Sequence, residues 1–444
     1  MRRNERVRLT KYLSKVFETP STDYSEWFGY YNYDTLNSDQ TKMLCNRSKV
    51  DGVSPQKGME IELGYYSIPF GEWHHIGTSD SWNWQQGAML QWLPGEGNED
   101  LVIYNTSKEG RLISVIHNTR TGDNRELSWP IYGITPDGMH SISLEFERSY
   151  WCRAYHYPSV INERMNGRVY EGDGIFDIDC KNNSRRRIIS IHDIIQTDYR
   201  PEFQSYKHWV EHIMISPTGK RFCFLHRFSP ENDVLKYYTR LMIANIDGTD
   251  LISVPGWDKY YWSHFGWKDD DTFVIYTRKN GKYNDVGSLV DVLKHKPILK
   301  GLQRKFLVSL SARLPYMLGR KLSGIGKYYQ VYSLNTENQA VLVDKIESSL
   351  FDIDGHPSFT GNGRYMITDS YPDGNGYQRL ILYGLESRKG AILARLFANY
   401  KGNPASCDLH PKLCKNNDYL VIDTAFNQKH HMIVFKIDWS LIPF

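Results

Sequence analysis

The sequence predicts an all-β fold: a seven-bladed β-propeller of four-stranded blades. Three observations predict it. The first is a repeated strand-turn phrase, clearest in Asp354-Gly355-His356-Pro357-Ser358-Phe359-Thr360-Gly361-Asn362-Gly363-Arg364-Tyr365-Met366-Ile367-Thr368-Asp369. A His-Pro leads into a short strand, Gly-Asn-Gly reverses the chain, and a second strand ends on Asp369. Versions begin at His212, His264 and His410, and one without a histidine begins at Ile131. The second observation is spacing: seven such units follow one another at roughly 40–60 residues, the length of a four-stranded blade. The third is composition. Aromatic residues make up 14% of the chain, with 31 Tyr and 12 Trp, which suits pleated, half-buried surfaces.

In chain order, residues 1–22 read as a lead-in, a short helix packed on the rim, and 23–444 as the propeller. Blade one begins near Trp27-Phe28-Gly29-Tyr30-Tyr31 and includes Glu60 to Ile68. Blade two opens at Trp82, and blade three at Ile131, closing near Asp179 after a Tyr-rich insertion from Tyr150 to Pro158. Blade four runs from His208 through Phe224-Leu225-His226-Arg227 to the Asn245-Ile246-Asp247-Gly248 turn. Blade five opens at Trp262-Ser263-His264 and closes near Leu334; blades six and seven open at His356 and His410. Residues 278–327 interrupt blade five and carry twelve Lys/Arg against two acids, Asp285 and Asp291. Their middle, Lys296 to Leu310, has helical apolar spacing. It reads as a solvated rim helix, as a lid over an acidic substrate, or as a peripheral contact with anionic membrane.

The net charge of +3 gives no reason to expect a nucleic-acid partner. No apolar run follows the basic start, so neither a secretory signal nor a membrane span is expected. The six cysteines lack CxxC spacing, which predicts reduced thiols and a cytoplasmic protein.

In a propeller the first strand of each blade lines the central channel. His212, His264, His356 and His410 hold equivalent places in four repeats, so they are expected to face one another at one mouth. Imidazoles gathered in this way suit a metal or proton transfer near neutral pH. A histidine at a blade junction can instead serve only its own blade, but a purely structural residue would recur in blades one to three, and it does not. Asp408, two residues before His410, could add an oxygen ligand. Arg227 and Arg240 invite a carboxylate partner, from protein or ligand. Tyr261, Trp262, Trp82, Trp84 and Tyr371 could stack on sugar faces or pack within blades.

At these residues the chain resembles the oligogalacturonate lyases, seven-bladed TolB-like propellers of the cytosol. The shared phrases run in one order from His212 to Asp438: a His-headed strand ending in Phe224-x-His226, an Arg240 strand with its Asn-x-Asp-Gly turn, Ser263-His264, Gly355-His356 and His410-Pro411. The resemblance implies that Arg240 and His264 act in the chemistry and that His356 and His410 bind a divalent metal, with Mn2+ favoured. Arg227, His226, Tyr261 and Trp262 are taken as substrate-binding. The family also uses a Gln and a further His before the last ligand. Here those positions hold Ala405 and Asp408. A carboxylate suits manganese, so Asp408 can replace the His, and His212 or water is left to replace the Gln.

The expected function is a lyase that cleaves a uronate-containing glycan by metal-assisted β-elimination. The alternative is a non-catalytic propeller that binds a glycan or a protein and serves surface-polysaccharide assembly. A metal-dependent hydrolase is a third reading.

Overall fold

The structure, a computed structural model, describes residues 6–20, 23–50, 52–153, 157–230, 236–279, 284–285, 327–398, 407–426 and 429–444. Seven antiparallel sheets follow one another in chain order. The first strands are short in five blades: Ser25–Trp27, Gln91–Trp92, Gly133–Ile134, Ser358–Phe359 and Lys412–Leu413. They are longer in blades four and five, Lys207–Ile215 and Tyr260–Trp267. The core lies between blades because alternate side chains of each strand face a neighbouring sheet. Phe222 and Phe224 of blade four, for example, share a cluster with Trp267 and Phe273 of blade five. The seven-bladed expectation therefore holds. The helix expected within 278–327 falls outside the described residues, which reach only 278–279, 284–285 and 327 of that segment.

From Val7 on, the lead-in is strand and not helix, and residues 1–5 lie outside the described residues. Leu13–Glu18 is the outer strand of blade seven, paired with Lys429–Ile437, and Val7–Leu9 adds a fifth strand to blade six. The reason is burial: Leu13 and Phe17 are both buried, and only a strand lets them cover the exposed edge of the last blade. The ring is closed by the start of the chain. Phe17 also meets Tyr66 of blade one, with ring centroids 5.7 Å apart. Phe17→Ala should lower stability by about 3 kcal/mol, measured by urea denaturation. A loss below about 1 kcal/mol would show that this side chain does not anchor the closing strand.

Two glycines of the repeat phrase are required by geometry. Gly363 has φ +64° in the Gly-Asn-Gly turn, where a side chain is strained. A Cβ on Gly355 would lie 1.9 Å from the carbonyl oxygen of Asp369, so this position admits no side chain without moving the strand that carries Asp369.

Candidate metal centre

Blades four and five carry a β-bulge in their first strands, between Glu211 and Met214 and between Trp262 and Phe265. A bulge breaks the alternation and re-aims one side chain. Here the re-aimed residues are His212 and His264. His212 and His410 have φ of 54° and 43°, a left-handed backbone that costs a non-glycine residue on the order of 1–3 kcal/mol and gathers at functional sites.

Three of the expected ligands come together. Donor atoms of His356, Asp408 and His410 lie within 4.8 Å of one another, and all three residues are buried. Their hydrogen bonds set the tautomers. His410 donates Nδ1–H to the Gly29 carbonyl at 3.0 Å, and His356 donates Nδ1–H to Asp369 at 2.9 Å. Each bond directs Nε2 to the shared space, as in carboxylate–histidine–metal arrangements. Asp369 also accepts from the backbone N–H of His356 at 2.7 Å and of His410 at 3.2 Å. One carboxylate therefore sets the spacing of the two histidines.

Electrostatics mark the same point. Burial pushes the Asp408 carboxyl up to about 7, against the pull of His356. Burial, then His356 and Lys412, drives His410 well below the usual imidazole range. Burial also lowers His356, but Asp369 outweighs it and leaves that group raised. Asp408 Oδ1 and His410 Nε2 are buried with no hydrogen-bond partner among the described residues. Orphaned acceptors in a dry site are costly unless a cation satisfies them. A carboxylate with two imidazoles is a donor set that suits manganese or zinc. The residues present fit a divalent metal.

His264 adjoins this group. Its ring centroid is 4.0 Å from that of His356, and its Nδ1 lies 3.0 Å from Asp354 Oδ1. Ser263 Oγ donates to the other oxygen of Asp354. Burial and the neighbouring His356 lower His264 despite Asp354. The ring is therefore neutral near pH 7, with Nδ1–H held by Asp354 and Nε2 left as an acceptor. Tyr371 flanks it, with ring centroids 5.9 Å apart.

His212 is not brought to the ligand group. The Tyr30 ring stands between, stacked on His212 at 4.9 Å and edge-on to His410 at 5.1 Å. His212 instead bonds Glu211 through Nε2 at 3.2 Å. Arg240 is also elsewhere. It pairs with His226 across the sheet and gives Nη1 to the Thr197 carbonyl at 2.6 Å and Nη2 to that of Ile194 at 2.8 Å. His226 is buried between Arg240 and His208. Trp262 is buried in blade five and donates to Gln330 at 3.1 Å. Arg240, His226 and Trp262 are therefore buried and held by contacts of their own in this structure. Strand alternation is the cause: Arg227, next to His226, turns to the opposite face and bonds Glu211 at 2.6 Å. Tyr261 lies under the Arg278 guanidinium, 4.1 Å from its ring. Trp82 and Trp84 pack on Trp27, and Trp84 also meets His430 edge-on at 4.8 Å. Ala405 lies outside the described residues.

Tyr30, Tyr31, Asp354 and Asp369 were not predicted as site residues. The two aspartates had a signal: Asp354-x-His356-Pro repeats as Asp408-x-His410-Pro, and Asp369 recurs as Asp423. The tyrosines had none, because blade one departs from the phrase.

No protein-family model matches the chain, and no curated protein matches it. Solved structures do. An oligogalacturonate lyase in complex with manganese superposes with a TM-score of 0.58 at 13% identity, covering 96% of this chain and 97% of that one. An oligogalacturonate lyase from Vibrio parahaemolyticus gives 0.59 at 11% identity, covering 98% and 99%. The ring is thus the seven-bladed fold of those lyases along its whole length.

Proposed function

We propose that the protein is a cytoplasmic, metal-dependent lyase that cleaves a uronate-containing glycan by β-elimination. The observation that carries this reading is the pairing of two units: the His356–Asp408–His410 donor set with its orphaned buried atoms, and the Asp354-oriented His264 beside it. The manganese in a solved lyase of the same fold supports Mn2+ as the favoured cation. The six free cysteines agree with a reducing compartment. No helix among the described residues is long and apolar enough to cross a membrane.

β-Elimination needs a base for the proton on the carbon next to the carboxylate, and charge to offset the carbanionic transition state. A divalent cation held by His356, Asp408 and His410 would supply that charge to the uronate carboxylate. His264 Nε2 takes the C5 proton, and the electron pair forms the C4–C5 double bond. The bond from C4 to the glycosidic oxygen breaks, and that oxygen regains a proton from His264 or from water. Asp354 keeps Nδ1–H in place, so Nε2 faces the substrate, and it stabilises the imidazolium that forms.

The product carries an unsaturated uronate that absorbs in the near ultraviolet. Incubation with polygalacturonate and other uronate glycans should produce this absorbance, and a chelator should abolish it until Mn2+ is restored. Cleavage without absorbance would indicate a hydrolase. Binding without cleavage across the panel would indicate the non-catalytic alternative.

A further inference from the structure

Three residues beyond each repeat histidine stands an apolar or aromatic one: Ile215 after His212, Trp267 after His264, Phe359 after His356 and Leu413 after His410. At about 3.3 Å per strand residue, this layer lies roughly 10 Å further along the first strands, away from the metal-ligand group. It surrounds a cavity of two adjoining lobes, about 290 and 390 Å³, the size of a small-molecule site. Trp92, Ile134 and Asp34 complete the wall, so all seven blades contribute to it. The inner lobe reaches Tyr31, whose ring packs on His356 at 5.2 Å.

Asp34 is the one acid among the residues that line the two lobes. Among the described residues its carboxylate receives no hydrogen bond, and its one cation is Lys415, with Nζ 3.9 Å away and a side chain 77% exposed. A solvated contact of that length holds little. Pro94, Pro136 and Pro217 of the outer lobe have no N–H to offer. Lys412 lines the inner lobe, but its Nζ is taken by Asp423 at 3.0 Å and by the His410 carbonyl at 2.9 Å. Burial raises the Asp34 carboxyl, and Lys415 does not offset it. A carboxylate recessed among apolar walls without donors is stabilised by a cation that brings N–H groups to it.

We propose that this end of the channel binds a primary organic amine, with its ammonium on Asp34 and its apolar body along Ile215, Phe359 and Leu413. The ammonium displaces Lys415, which turns out to solvent. The site does not rest on the lyase reading. It is distinct from any place for a uronate, because Asp34 repels a carboxylate.

The test is calorimetric titration of the whole chain, in chelator, with n-hexylamine, which is charged near neutral pH. 1-Hexanol and hexanoate are run beside it, since they keep the alkyl chain and change the charge. Wild type is compared with Asp34→Asn and Lys415→Gln after melting temperatures are checked. Wild type should bind the ammonium at least about tenfold more tightly than the alcohol, and hexanoate most weakly. Asp34→Asn should lose that preference, with the alcohol unchanged. Lys415→Gln should bind the ammonium about two- to fivefold more tightly, because the competing cation is gone. No ammonium preference in wild type, or an undiminished one in a folded Asp34→Asn variant, overturns the proposal. If Asp34→Asn does not fold, the exposed Lys415→Gln variant decides: tighter binding upholds the site, and unchanged or weaker binding overturns it.

Discussion

His264→Ala is expected to lower turnover by about 10²–10⁴-fold, the range for removing a general base, while metal content and melting temperature stay at wild-type values. The structure separates the two roles. His264 is held by Asp354 at 3.0 Å, and His356 by Asp369 at 2.9 Å. The set whose donor atoms lie within 4.8 Å of one another contains His356, Asp408 and His410 without His264. A base acts in the transition state, so kcat should fall with little change in KM. The measurement is steady-state kinetics by near-ultraviolet absorbance, alongside metal analysis of the purified variant. Loss of metal from His264→Ala would make His264 a ligand and end its assignment as base. Full activity would move the base elsewhere.

Lys412→Met is expected to cost about 3–5 kcal/mol, the penalty for leaving a buried charge without its partner. Lys412 and Asp423 are bonded at 3.0 Å, with side chains 2% and 4% exposed. The lysine also donates to the His410 carbonyl at 2.9 Å. Asp423 accepts the Phe28 N–H at 3.0 Å and the Gly29 N–H at 3.4 Å, and the Gly29 carbonyl receives His410 Nδ1. This one pair therefore ties blade seven to blade one beneath the metal-ligand group. The double variant Lys412→Met/Asp423→Asn leaves no lone charge and should recover a large part of the loss, as read by urea denaturation. A single variant within about 1 kcal/mol of wild type would show that solvent reaches Asp423 and that the pair does not hold the ring.

Asp369 and Asp423 show how far local sequence reaches. Both lie on the second strand of a His-Pro repeat, at the same distance from its histidine, and both accept backbone N–H groups from the next blade. That recurrence is visible in the chain. What each carboxylate holds is not, because the partner is supplied by the neighbouring sheet. The Gly29 carbonyl and His410 are 381 residues apart, and no periodicity links them. Arg227 and Arg240 make the same point at short range. Both are arginines on adjacent strands of one hairpin. Which one bonds Glu211 and which the carbonyls of Ile194 and Thr197 depends on the register that sets His226 opposite Arg240, and a slip of one strand by one residue would put both on one face.

The sequence by itself determined the number of blades, the recurrence of a histidine in four repeats, and Asp408 beside the last of them. These follow from repeated turn chemistry and strand period, which are local and need no partner. Tertiary structure alone decided that His212 is cut off by Tyr30, that Asp354, Asp369 and the Gly29 carbonyl orient the other three histidines, and that Arg227 bonds Glu211 while Arg240 bonds His226. Those outcomes depend on bulges, register and contacts between blades, where side-chain direction is set by packing across the ring and not by neighbours along the chain.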